Sequence, residues 1–94
     1  MSPPNAIRAE VVICNKKGLH ARASAKFVEV VEAHDATAQV TRDGMTVSGD
    51  SIMGLLMLAA SRGTSIEVQT SGAQAEALAA ALDALVANRF GEDR

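Results

Sequence analysis

Thr37-Ala38-Gln39-Val40-Thr41-Arg42-Asp43-Gly44-Met45-Thr46-Val47-Ser48 is the stretch on which the fold turns. Two runs of β-forming residues flank Asp43-Gly44, a dipeptide suited to a two-residue hairpin because both central positions take positive φ. A chain with this hairpin is not an all-helical bundle. Outward from it, residues 6–14 alternate, with Ala9, Val11 and Ile13 on one face and Arg8, Glu10 and Val12 on the other. Residues 64–70 alternate again, setting Ile66 and Val68 inward and Glu67 and Gln69 outward.

Between these strands the period changes to that of a helix. Residues 21–33 place Ala23, Phe27, Val30 and Val31 on one stripe and turn Lys26, Glu29 and Glu32 towards solvent. Residues 52–60 form a short apolar helix that Gly63 closes, and residues 73–88 carry Leu78, Leu82, Leu85 and Val86 at helical spacing. The element order is β-α-β-β-α-β-α. Alternating strands need one covered face, and three amphipathic helices supply the cover. The expected fold class is α+β: an open-faced β-sandwich whose four-stranded, mainly antiparallel sheet is covered on one face by three helices. Residues 1–5 read as a loose lead, His34 as a solvent-exposed loop residue, and residues 91–94 as a fraying tail.

Composition narrows the function. Ninety-four residues make one domain, with its folded part at about 6–90. Phe27 and Phe90 are the only aromatics, so there is no platform for base stacking, and a net charge of −2 lacks the basic footprint of a duplex binder. Nucleic acid is excluded as a partner. A lone cysteine forms no internal disulfide, which fits a reducing compartment, and Cys14 at a strand end reads as a small buried apolar residue. The polar start Met1-Ser2-Pro3-Pro4-Asn5 is no signal peptide and no apolar run reaches membrane-spanning length, so a cytoplasmic protein without a membrane role is expected. His20, His34 and one cysteine give no metal-ligand spacing, and no nucleotide-type glycine loop is present, so neither metal nor cofactor is expected.

The near-neutral total conceals a polarity. Residues 1–34 carry five basic and three acidic side chains, whereas residues 35–94 carry four and eight. Lys16, Lys17, Arg22 and Lys26 all flank His20, in the stretch Lys16-Lys17-Gly18-Leu19-His20-Ala21-Arg22-Ala23-Ser24 where the first strand gives way to the first helix. A helix start offers unpaired N–H groups and the positive end of a dipole, a natural place for an anion. Gly18 allows a tight approach there, and Arg22 lies within reach of anything held. Neutral imidazole is also a nucleophile near neutral pH. Attack on a phosphoryl donor would leave a phosphohistidine against the helix N–H groups and the Arg22 guanidinium, without a metal. Spacing alone does not separate this from His20 as a polar cap beside solvated lysines.

Gly18-Leu19-His20-Ala21-Arg22 resembles the phosphorylation motif of HPr, the histidine-containing phosphocarrier of the bacterial phosphoenolpyruvate phosphotransferase system, and the element order matches that family along residues 6–90. Ser51-Ile52-Met53-Gly54-Leu55 is similar to the family's regulatory serine segment at the second helix. The resemblance implies that His20 accepts phosphate on Nδ1 from enzyme I and passes it to an enzyme IIA-type domain, with Arg22 neutralising the charge. It further implies control by HPr kinase/phosphorylase at Ser51. Lys16, Lys17, Gly18, Ala21, Ala23, Ser24 and Lys26 then support the phosphate or the partner's electrostatics. The protein is expected to act as a monomer. Where the family usually carries proline after the arginine, this chain has Ala23, which keeps its N–H and sets φ less firmly; the chemistry is expected to persist, with the transfer rate affected.

Ile52, Met53, Leu55, Leu56, Met57 and Leu58 cannot all face one core. Leu55 and Leu58 read as core, whereas Leu19, Ile52, Met53 and Leu56 read as a docking patch beside His20, methionine being adaptable to several partners. A phosphate on Ser51 would set a hydrated dianion on the rim of that patch next to Asp50; as an unmodified residue, Ser51 is an ordinary helix cap. Two other functions compete. A regulatory binding module of the same fold, controlled through Ser51 alone, is expected to lack the active histidine. An acyl carrier is suggested by Gly49-Asp50-Ser51-Ile52, but such carriers are acidic helical bundles, and the Asp-Gly hairpin rejects that reading.

Overall fold

The computed structural model describes residues 6–94, so the N-terminal lead lies outside the described residues. The elements run β1 (Ile7–Val12), α1 (Ala21–Glu32), β2 (Thr37–Arg42), β3 (Met45–Ser48), α2 (Ile52–Met57), β4 (Ser65–Ser71) and α3 (Ala75–Ala87), followed by a single 3-10 turn, Arg89–Gly91. The strands lie in the order β1-β4-β2-β3, and all three pairings are antiparallel. The hairpin forms as its residues dictate, with Asp43 and Gly44 both at positive φ (49° and 79°).

Side-chain alternation settles which face is covered. Val11 sits opposite Ile66, Val40 opposite both Val47 and Val68, and Ala9 opposite Val68. Val11, Ala38, Val40, Ile66 and Val68 are buried beneath the helices. Phe27 and Val31 of α1, and Leu78, Leu82 and Val86 of α3, close the core above them. Burying one such side chain is worth about 1.5–3 kcal/mol, so register and helix orientation are fixed together.

Two chain ends differ from expectation. The second helix stops at Met57 rather than running to residue 60, and Gly63 lies beyond it in a loop. Arg42 Nη1 donates to the Leu58 carbonyl at 2.8 Å, Ala59 takes a left-handed φ of 50°, and the buried Ala60 gives its carbonyl to the Leu19 N–H at 2.9 Å. A long-range hydrogen bond therefore ends the helix. The C-terminal tail does not fray as a whole. Arg89 and Phe90 both adopt positive φ (54° and 55°), an uncommon state for residues other than glycine. Phe90 is fully buried in return, and its carbonyl accepts the Lys26 Nζ–H at 2.6 Å.

Smaller departures follow the same pattern. Lys26 is half-buried by this bond rather than free in solvent. His34 is half-buried with Nδ1 at 2.8 Å from the Val30 carbonyl, where an exposed loop residue was expected. Cys14 is only partly buried, and its thiol donates to the Val86 carbonyl at 3.1 Å.

Candidate functional site

The loop between β1 and α1 is held at both ends. Ile13 exchanges backbone hydrogen bonds with the segment at Gly63 and Thr64, and Asn15 closes a turn through its carbonyl to the Gly18 N–H. Gly18 is buried at a φ of +68°, and a Cβ there would stand 2.6 Å from the Ala60 carbonyl oxygen. The tight approach that needs glycine is thus to the backbone after α2. Leu19, expected in the docking patch, is instead buried as part of the core and offers no side chain to a partner. Ser24 is fully buried and donates its hydroxyl to the Leu19 carbonyl at 3.2 Å, fastening the first turn of α1 to the residue before His20.

His20 caps α1. Its backbone is extended, its carbonyl takes the Ser24 N–H at 2.8 Å, and its ring Nδ1 accepts the Arg22 N–H at 3.2 Å. A backbone N–H can only donate, so Nδ1 carries the lone pair and the ring hydrogen belongs to Nε2. Nε2 faces Glu92 Oε2 at 2.5 Å. The other oxygen of Glu92 accepts from Asn15 Nδ2 at 3.0 Å, and the same amide donates to the Gly18 carbonyl at 2.8 Å. Burial works to raise the Glu92 pKa, but the hydrogen bonds from Asn15 and His20 and the positive charge of Lys17 outweigh it and hold the carboxyl below its usual value.

Lys16, Lys17, His20, Ala21, Arg22, Glu92, Asp93 and Arg94 line one open groove. Ala21 and Arg22 are exposed, Ala23 is buried, and the Arg22 guanidinium has no hydrogen-bond or ion-pair partner among the described residues. The N–H groups of Ala21 and Ala23 likewise lack partners among the described residues. The structure thus brings His20, Arg22, Lys16 and Lys17 together. Lys26 instead spends its ammonium on the Phe90 carbonyl. Sequence reasoning missed Glu92 and Asn15. Neither carries a periodic or motif signal, and Glu92 lies 72 positions beyond His20; the available hint was the buried-type Phe90 just before it.

Ser51 caps the second helix, its Oγ accepting the Gly54 N–H at 3.0 Å. Ile52, Met53 and Leu56 are exposed, as is Met57, while Leu55 and Leu58 are buried. Asp50 stands next to the cap and accepts the Ser48 hydroxyl. Among the described residues no group of three metal-ligating side chains occurs, and no helix is long and apolar enough to cross a membrane.

A histidine whose Nδ1 carries a lone pair rather than a hydrogen, at a cationic helix start on an open-faced β-sandwich, defines the class of small phosphotransferase-system carriers. The chain belongs to the HPr family: the family model described as "PTS HPr component phosphorylation site" matches residues 7–88. It is similar to the phosphocarrier protein HPr of Neisseria meningitidis serogroup A, 47% identical over 92% of this chain and 97% of that protein. It is also similar to the phosphocarrier protein NPr of Escherichia coli K12, 38% identical over 93% and 98%. Among solved structures, HPr-C-His from Thermoanaerobacter tengcongensis matches with a TM-score of 0.89 at 33% identity, covering 94% of this chain and 99% of that one. Members of this family are phosphocarriers of the phosphotransferase system rather than enzymes.

Proposed function

We propose that His20 is the phosphoryl acceptor of this carrier, charged by phosphorylated enzyme I and discharged to an enzyme IIA-type domain. The observation that carries the reading is the Arg22 N–H on His20 Nδ1, which leaves the lone pair of that nitrogen at the head of α1. In the step itself, this lone pair attacks the phosphorus of the donor. The N–P bond to Nδ1 forms as the donor's bond to phosphorus breaks, and the electron pair stays with the donor. The Arg22 N–H, displaced from Nδ1, becomes a donor to a phosphoryl oxygen, and the N–H of exposed Ala21 is free for the same use. The unpaired Arg22 guanidinium neutralises the dianion, with Lys16 and Lys17 adding positive potential. No metal or cofactor is needed, and the carrier works as a monomer in the cytoplasm.

Incubation with enzyme I and phosphoenolpyruvate tests this. The expected product carries one acid-labile, base-stable phosphoryl group that His20→Ala loses. An unchanged label in His20→Ala would refute the role of His20.

A second modification is proposed at Ser51, through HPr kinase/phosphorylase. Its support is the position of the Oγ at the head of α2, next to Asp50 in the chain, on a helix that exposes Ile52, Met53 and Leu56. A phosphate there adds about −1.5 to −2 charges to the rim of an apolar docking patch and repels an acidic partner that the His20 pole attracts. With ATP and the kinase, an acid-stable phosphoserine at Ser51 is the expected product; its absence counts against this control.

A further inference from the structure

We propose that Glu92, held by Asn15, is a positioning residue for phosphoryl transfer: acting with the Arg22 N–H on Nδ1, it fixes His20 in the tautomer that keeps hydrogen off Nδ1, and it balances the charge of the ring once phosphorylated. The proposal rests on the reading of His20 as acceptor. Its geometric basis is separate from the cap, because Glu92 meets the opposite nitrogen of the ring, Nε2, at 2.5 Å.

The position of the carboxylate is set from both sides. On one side, Asn15 is fully buried and divides its amide hydrogens between Glu92 Oε1 and the Gly18 carbonyl. Asn15 Oδ1 is buried without a partner, so the side chain is placed for what its amide donates. On the other side, the left-handed Arg89-Phe90 pair drives Phe90 into the core, and Lys26 fastens the Phe90 carbonyl at 2.6 Å. Two residues later the chain delivers Glu92. The strain of the two left-handed residues is maintained there by the burial of Phe90.

The chemistry follows from counting hydrogens. A neutral imidazole has one N–H. With that hydrogen on Nε2 and donated to Glu92, Nδ1 is nucleophilic; in the other tautomer the hydrogen sits on the attacking atom. After attack, phosphorus occupies Nδ1 and the hydrogen remains on Nε2, so the ring is an imidazolium-type cation. The adjacent carboxylate stabilises that cation and keeps the imidazole a good leaving group for onward transfer. Other charges around the ring are Lys16, Lys17, Arg22, Asp93 and Arg94, all lining the same groove. Among the described residues Glu92 is the one whose charged group is hydrogen-bonded to the imidazole.

The test uses Glu92→Ala, which removes acceptor and charge, and Glu92→Gln, which keeps an acceptor oxygen and loses the charge. Nitrogen-15 spectra of the unphosphorylated His20 ring are expected to show hydrogen on Nε2 in the wild type and in Glu92→Gln, and a mixture of tautomers in Glu92→Ala. Phosphorylation by enzyme I should slow about tenfold in Glu92→Ala, the usual scale for a residue that orients a reactive group through a hydrogen bond. In Glu92→Gln the pH profile for hydrolysis of the phosphohistidine should move to lower pH, since the protonated ring has lost its counter-charge; loss of packing alone would not produce that displacement. Identical ring spectra in wild type and Glu92→Ala, or a wild-type hydrogen on Nδ1, would overturn the proposal. The spectra need no enzyme I, so a wild type with the Nε2–H signature that accepts no phosphoryl group would overturn the carrier reading and leave the tautomer assignment standing.

Discussion

The starts of α1 and α2 are built alike and placed in opposite chemical settings. Each has a side chain at the cap accepting a first-turn N–H: His20 Nδ1 from Arg22 at 3.2 Å, and Ser51 Oγ from Gly54 at 3.0 Å. At α1 the cap atom is a basic nitrogen, the neighbours are Lys16, Lys17 and Arg22, and a carboxylate holds the far side of the ring. At α2 the cap atom is a hydroxyl, the charged neighbour is Asp50, and Ile52 and Met53 are exposed. The same backbone device therefore serves two purposes. At His20 the cap is itself the proposed nucleophile, whereas a hydroxyl whose neighbouring carboxylate, Asp50, is engaged by Ser48 would depend on an external kinase.

The sharpest way to break this contrast is to remove each cap in turn. His20→Ala is expected to abolish phosphoenolpyruvate-dependent labelling, while Ser51→Ala leaves it intact; both should cost about 1 kcal/mol of stability for the lost cap, read from chemical unfolding. Equal loss of labelling in the two variants would erase the distinction. Next comes charge at the second cap. Ser51→Asp keeps a capping oxygen, so its melting temperature should stay near that of the wild type, but phosphorylation by enzyme I should slow by about tenfold, or roughly 1.4 kcal/mol of transition-state free energy.

Arg22→Ala separates catalysis from folding at the first cap. The exposed guanidinium makes no hydrogen bond or ion pair among the described residues, so thermal unfolding should be unchanged. Loss of a charge-assisted contact to the phosphoryl group should slow transfer several-fold to tenfold. A lowered melting temperature would show that Arg22 is structural. The smallest expected effect concerns acid stability. The Glu92 carboxyl is held below its ordinary value of 4.5, so its contribution is present above that value and is lost as pH falls through the lower folded one. Melting curves of wild type and Glu92→Gln should therefore differ at neutral pH and converge in acid. Solvent screening keeps this difference small.

Much of the fold was legible because its signals are local. Asp43-Gly44 marks the hairpin, whose strands run Thr37–Arg42 and Met45–Ser48 as expected. His20 and Ser51 were legible as caps for the same reason. The end of α2 was not, because nothing near Ala59 announces a stop; the Arg42 and Leu19 hydrogen bonds to residues 58 and 60 impose it from elsewhere in the fold. Glu92 was hidden by the same cause in stronger form. A polar tail of Gly91-Glu92-Asp93-Arg94 reads as solvent-bound, and its approach to His20 depends on Phe90 entering a core assembled by the whole chain.

The most direct test of the central claim is to locate the phosphoryl group after incubation with enzyme I and phosphoenolpyruvate, by phosphorus–nitrogen coupling in the labelled protein. The account predicts a single N–P bond at His20 Nδ1, acid-labile and base-stable. A phosphoryl group on His20 Nε2, on His34 or on Ser51 would contradict it.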